Sequence, residues 1–156
     1  MKNRPFLRLQ AAAFVALLVP LLGTARAATL DSLDLDRYDG KVVLVDFWAS
    51  WCGPCLESFP WMQRMNARYG PSGLVVVAVN VDHDRQLAER FLRSQRSSLD
   101  IVFDPRGAVA ERFRVEGMPS SYYIDRHGKV RFTHVGFHTG DAADLEREIA
   151  QLLSEP

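Results

Sequence analysis

The chain is poor in cysteine: two residues in 156, Cys52 and Cys55, both within one five-residue stretch. That scarcity excludes a disulfide-stapled scaffold, and it excludes a metal centre built from two cysteine pairs, since a closed site takes about four ligands. A basic excess is missing as well, with 19 Lys and Arg against 19 Asp and Glu. Without surplus cations nothing is available to neutralise a phosphate backbone, so nucleic acid is excluded as a partner. The apolar run at residues 11–22 is interrupted by Pro20 and falls short of the ~20 residues that span a bilayer. There is no internal repeat and no low-complexity tract. With 47% hydrophobic and 24% charged residues over this length, the composition is that of one ordinary globular domain.

What is present begins with an address. Lys2, Arg4 and Arg8 precede the apolar run, and no acid occurs in the first 27 residues. Ala25-Arg26-Ala27 then offers the small-x-small pattern of a signal-peptidase site. Residues 1–27 are therefore expected to be a cleaved secretory signal peptide, with a retained membrane anchor as the alternative. No cysteine lies near the cleavage point, which excludes a lipoprotein anchor. Residues 28–156 are expected to form a single domain with 15 basic and 19 acidic side chains, a net charge of −4. Its destination, periplasmic or otherwise extracytoplasmic, permits disulfides.

Residues 41–48 are apolar and Val-rich between Gly40 and Ser50, the pattern of a buried strand, and residues 74–81 repeat it. Two such strands imply a sheet covered on both faces. Between them Phe59, Met62, Met65 and Tyr69 recur at helical spacing until Gly70-Pro71 stops the helix. Residues 84–95 carry Leu87, Phe91 and Leu92 on one side of a second helix. A short strand at 101–103 and a brief helix at 108–113 follow. Strands at 121–124 and 129–135 are joined by the hairpin-turn residues 125–128. Residues 141–153 close the chain as a helix, with Ala142, Leu145, Ile149 and Leu152 on one side. The order β-α-β-α-β-α-β-β-α predicts an α/β fold, a central mixed β-sheet flanked by helices on both faces.

The two cysteines fall where the first strand becomes the first helix, in Trp51-Cys52-Gly53-Pro54-Cys55. A thiol there meets unpaired N–H groups and the positive end of the helix dipole, both of which favour thiolate. Pro54 suits the first turn, where its missing N–H costs nothing. The pattern predicts an exposed nucleophile, Cys52, and one turn inward a sheltered resolving thiol, Cys55. A structural disulfide over so short a loop would restrain little of the unfolded chain. His134 and His138 have an H-x₃-H spacing but lie far along the chain, and no metal is expected.

Residues 45–55, Val-Asp-Phe-Trp-Ala-Ser-Trp-Cys-Gly-Pro-Cys, resemble the active-site segment of the thioredoxin superfamily, and Gly117-Met118-Pro119 resembles its cis-proline loop. The leader, the extra segment at 84–104 and Tyr123-Ile124-Asp125-Arg126-His127-Gly128-Lys129-Val130 are similar to the TlpA/ResA branch of exported thiol-disulfide oxidoreductases. The resemblance covers about residues 33–153 and implies a thioredoxin-like fold. It implies that Asp46, six residues before Cys52, helps deprotonate Cys55, and that Pro119 follows a cis bond that sets the Met118 backbone beside the sulfurs. Cys52, Cys55, Asp46 and Pro119 are the expected catalytic residues, and Trp51, Gly53, Pro54 and Met118 the expected docking residues for a client.

Asp46 interrupts an apolar strand, so its carboxyl is expected to titrate high. Thioredoxins place a Lys near this Asp on the neighbouring strand, whereas here that stretch is Val77-Ala78-Val79-Asn80. Many TlpA-like proteins carry a Glu three residues after the second cysteine; this chain has Ser58 there and Glu57 one step earlier, read as a solvated acid of the first turn. Pro60 matches a helix-kinking proline, and Met62 and Met65 have core spacing.

These readings converge on an exported protein-disulfide reductase that cycles through a Cys52–Cys55 disulfide and needs no cofactor. Its expected partners are client proteins with disulfides, such as apocytochrome c or copper-site proteins, and a membrane thiol electron donor. It is expected to act as a monomer. Two alternatives stay open: a thiol oxidant or isomerase running the same chemistry in reverse, and a binding or metal-delivery module without redox turnover.

Overall fold

The computed structural model describes residues 33–156; the expected signal peptide lies outside the described residues. Five strands, β1 (Val42–Trp48), β2 (Leu74–Asn80), β3 (Asp100–Phe103), β4 (Ser120–Ile124) and β5 (Val130–Val135), form one sheet in the order β3-β2-β1-β4-β5. The first three run parallel, and β4 is antiparallel to both β1 and β5. Every residue of β1 is buried, as its place in the middle of a covered sheet requires.

Side chains alternate along β1, so Val42, Leu44, Asp46 and Trp48 face one layer and Val43, Val45 and Phe47 the other. Three helices, α1 (Gly53–Tyr69), α2 (Arg85–Gln95) and α4 (Ala142–Ser154), bring Phe59, Met62, Phe91, Ile149 and Leu152 onto the first face. On this side Trp48, Phe59 and Phe91 form an aromatic triad with ring centroids 5.1–5.3 Å apart. The second face is covered by α3 (Ala108–Phe113), through Val109 and Phe113, and by Leu33 ahead of β1. Each large apolar side chain buried this way contributes about 1.5–3 kcal/mol.

The expected element order is the observed one, and each boundary lies within one residue of its expected place. Among the described residues ahead of β1, a single helical turn forms at Leu35–Tyr38, and its Asp34 cap accepts from Asp36 N at 3.1 Å. Pro60 lies inside α1 on its exposed side. Among the described residues, no helix is long and apolar enough to cross a membrane.

Candidate active site

After Trp48 the chain turns through Ala49-Ser50-Trp51 before α1 begins at Gly53. Asp82, buried just beyond β2, holds that turn. Its Oδ2 accepts from Ser50 N at 2.9 Å and Asn80 Nδ2 at 2.7 Å, and its Oδ1 accepts from Ser50 Oγ at 3.0 Å. Asn80 completes the clamp by accepting from Asp82 N at 3.1 Å.

Cys52 caps α1, and Cys55 N donates to Cys52 Sγ at 3.3 Å. The two cysteines form a disulfide with Cα atoms 5.3 Å apart. Cys55 is fully buried, in line with its expected sheltered place. The expectation of an exposed Cys52 needs correcting for this state, because it is only 6% exposed. Bonded to Cys55 and accepting from Cys55 N, its sulfur lies against the first turn of α1, with a small edge of the residue open to solvent.

That edge faces a groove of about 770 Å³, lined among others by Trp51, Gly53, Pro54, His83 and Met118. Trp51 stands out from the surface at 68% exposure. The Met118–Pro119 bond is cis, and Pro119 O accepts from Gly136 N at 2.7 Å, which fastens this loop to the end of β5. Gly117 passes so close to Val135 that a Cβ there would lie 2.9 Å from Val135 Cγ1. Across the groove His83 Nδ1 donates to Pro105 O at 2.9 Å.

Asp46 lies on the face covered by α1, at the centre of the sheet and buried; it does not reach solvent at a strand edge. Burial lifts its carboxyl to about 7, against an opposing hydrogen bond from Ser121 Oγ, which donates to Oδ2 at 2.6 Å. Its Oδ1 has no protein partner. On β2 the residue opposite is Ala78, so no cation meets the carboxylate from that side. Ser58 is buried and its Oγ donates to Cys55 O at 3.1 Å, while Glu57 is exposed one residue beyond the first turn.

Of the expected site residues, Trp51, Cys52, Gly53, Pro54 and Met118 share one groove, with Pro119 next to Met118 in the chain. Cys55 and Asp46 belong to the buried layer beneath. The sequence reading missed Asp82 and Ser121. Ser121 is 75 residues from its partner, and only the β1–β4 register brings the two together. His134 pairs with Glu148 rather than with His138, its Nε2 lying 2.6 Å from Glu148 Oε2. Among the described residues, no group of three or more His, Cys, Asp or Glu could hold a metal ion.

The redoxin family profile matches residues 18–149. The chain belongs to the redoxin family. This redoxin is 30% identical over 118 residues to the thiol-disulfide oxidoreductase ResA of Geobacillus kaustophilus, covering 76% of this chain and 67% of that protein. To ResA of Oceanobacillus iheyensis it is 30% identical over 99 residues, covering 64% of this chain and 52% of that protein. The redoxin thus spans about half to two thirds of the length of these curated relatives. Among solved structures it is similar to a candidate thiol:disulfide interchange protein DsbE from Chlorobium tepidum, with 46% identity and a TM-score of 0.76. That match covers 78% of this chain and 86% of the other.

Proposed function

We propose that this redoxin is an exported thiol-disulfide oxidoreductase that reduces disulfides in client proteins. The observation that carries the reading is the Cys52–Cys55 pair at the N-terminus of α1, opening on the groove between Trp51 and Met118. The names of its ResA and DsbE relatives support the activity, and the N-terminal charge and apolar pattern supports export.

In the reduced protein, the α1 dipole and the Cys55 N–H favour thiolate at Cys52. Cys52 Sγ attacks a client disulfide; a Cys52–client bond forms and one client thiolate leaves. Asp46 then takes the Cys55 proton. Cys55 attacks Cys52 Sγ, the intramolecular disulfide forms, and the second client thiolate departs. The client gains two electrons and the cysteine pair loses two, so no organic cofactor or metal takes part. Trp51 supplies an exposed apolar contact at the groove, and the Met118 backbone pairs with an extended client segment.

A membrane thiol donor re-reduces the pair, because an oxidising compartment offers no reducing pool. The TlpA/ResA resemblance points to apocytochrome c or copper-site proteins as clients, met by a monomer.

The deciding experiment is the reduction potential of the Cys52–Cys55 couple by redox-buffer equilibration, paired with client trapping by Cys55→Ser. A potential near about −270 mV, with clients trapped from oxidised pools, supports the reductase. A potential near about −120 mV, with clients trapped from reduced pools, reverses the direction and makes the protein an oxidant.

A further inference from the structure

On the sheet face beneath α1 and α4 a row of polar side chains crosses β1, β4 and β5, set apart from buried Asn80 at the end of β2. Asp46 on β1 stands opposite Ser121 on β4, and Ser121 stands opposite His134 on β5. Residues directly opposite in antiparallel strands share a face, with Cβ atoms about 4.5–5.5 Å apart. Ser121 Oγ donates to Asp46 at 2.6 Å, and at the far end of the row His134 is bonded to Glu148 of α4. Tyr123, two residues along β4 on the same face, sets its ring edge-on to His134 with centroids 5.4 Å apart.

Three polar atoms of the strands on this face are buried without a protein partner, Asp46 Oδ1, the Tyr123 hydroxyl and Trp48 Nε1. That hydroxyl lies within electrostatic reach of both Asp46 and Glu148. Buried polar groups are costly when unpaired, so such a row needs a use beyond packing. Exposure rises along it. Asp46 is buried, Ser121 is half-buried, and His134 borders an open cavity of about 420 Å³ beside α4.

We propose that this row is the proton outlet of the site: Ser121 and Tyr123 carry the proton away from Asp46, and the His134–Glu148 pair exchanges it with solvent. The inference rests on the reading of Asp46 as the base for Cys55. In the resolving step the Cys55 proton moves to the Asp46 carboxylate as the S–S bond to Cys52 forms and the bond to the client breaks. Asp46 must already be ionised when Cys55 gives up its proton, and a protonated Asp46 has no surface of its own through which to lose its proton first. An imidazole carries two ring nitrogens, one able to take a proton while the other gives one up, and suits the exchange.

At the Asp46 end the facing strand residues are uncharged, whereas several ionisable groups gather at the His134 end. Around Asp46, β2 presents Ala78, β4 presents Ser121 and Tyr123, and the buried side of α1 presents Cys55, Ser58 and apolar residues. His134 meets Tyr123 from β4 and Glu148 from α4, with His138, Asp141 and Asp144 lining the same cavity. Ser121 and His134 are positioning and exchange groups; neither touches the reacting sulfurs.

The test is the rate of client-thiol release from a preformed Cys52 mixed disulfide, followed across pH in dilute buffer. His134→Gln is expected to slow release by about tenfold, against the ~100-fold expected of Asp46→Asn. Added imidazole restores the His134→Gln rate, and the reduction potential stays that of the wild type, because an outlet alters rate and not equilibrium. Ser121→Ala moves the midpoint of the pH–rate profile upward by removing a donor to the carboxylate. Glu148→Gln is the second variant, with the same expected slowing and rescue. Release at the wild-type rate in both outlet variants, or slowing that imidazole does not relieve, overturns the outlet. If Asp46→Asn remains slow in that case, the base assignment survives. If Asp46→Asn runs at full speed, the base assignment fails and the outlet with it.

Discussion

Ala78 stands opposite Asp46 in the parallel pairing of β1 with β2, and both side chains are buried. The carboxylate therefore meets a methyl group on one side and a single hydroxyl, Ser121, on the other. Desolvation outweighs that one hydrogen bond and lifts the carboxyl to about 7.

The lifted value has a consequence for stability. Between the ordinary carboxylate value of 3.8 and about 7, the folded state holds a proton that the unfolded state has lost. Stability therefore falls as pH rises through that window. At ~1.4 kcal/mol per pH unit, ionised Asp46 costs up to ~4 kcal/mol above pH 7. Asp46→Asn is expected to be more stable than the wild type at pH 8, with the gain shrinking steadily toward pH 4. Urea unfolding at pH 4, 6 and 8 checks this; a gain that does not vary with pH would remove ionisation as its cause.

The pieces of this site that lie in one stretch of chain were legible in the sequence. The apolar run broken by Asp46, the turn into Cys52-Gly53-Pro54-Cys55 and the helical spacing of Phe59, Met62 and Met65 all state their roles locally. Ser121 and Asp82 do not. A serine in a strand and an aspartate after one are unremarked until register sets Ser121 against Asp46, and until the β1–α1 turn brings Ser50 to Asp82. Cys52 is less exposed in the disulfide than its place at the start of α1 suggests, because its sulfur is bonded to Cys55 and accepts from Cys55 N, neither of which the sequence states.

Asp82 is a strong target for loosening the site without touching it. Asp82→Ala leaves Ser50 N–H, Ser50 Oγ and Asn80 Nδ2 without their acceptor. Unsatisfied buried groups cost about 1–3 kcal/mol each, so a loss of about 3 kcal/mol in urea unfolding is expected. Asp82→Asn keeps a carbonyl acceptor and should recover part of it. A loss below about 0.5 kcal/mol for the alanine variant would mean that the turn is held by other contacts.

In the dithiol form the two cysteines should differ sharply toward alkylation. Cys52 borders the groove and Cys55 is fully buried. Brief iodoacetamide treatment at pH 7 is expected to add one carbamidomethyl group, at Cys52, as read by peptide mass spectrometry. Equal labelling of both would contradict the assignment of Cys52 as the attacking thiol.

Trp51 separates docking from folding. At 68% exposure it contributes little to the core, so Trp51→Ala should leave stability within about 0.5 kcal/mol. Loss of an apolar contact at the groove should raise KM for protein clients while leaving turnover of a small disulfide unchanged. Equal losses on both substrates would argue that Trp51 acts on Cys52 itself.

The last prediction concerns the loop before Pro119. Gly117 runs so close to β5 that an added Cβ would sit 2.9 Å from Val135 Cγ1, and Gly117 O accepts from Ser120 Oγ at 2.7 Å. Gly117→Ala must therefore push either Val135 outward or the Met118 backbone toward the groove. Val135 is well exposed and has room to yield, but its short side chain is tied to a strand. Part of the strain should reach Met118 and lower client reduction severalfold. Val135→Ala removes the opposing methyl groups, so the double variant should regain most of the activity lost in Gly117→Ala. A double-mutant cycle on client reduction measures this coupling directly. Additive losses would mean that the close approach of Gly117 to β5 does not govern where Met118 sits.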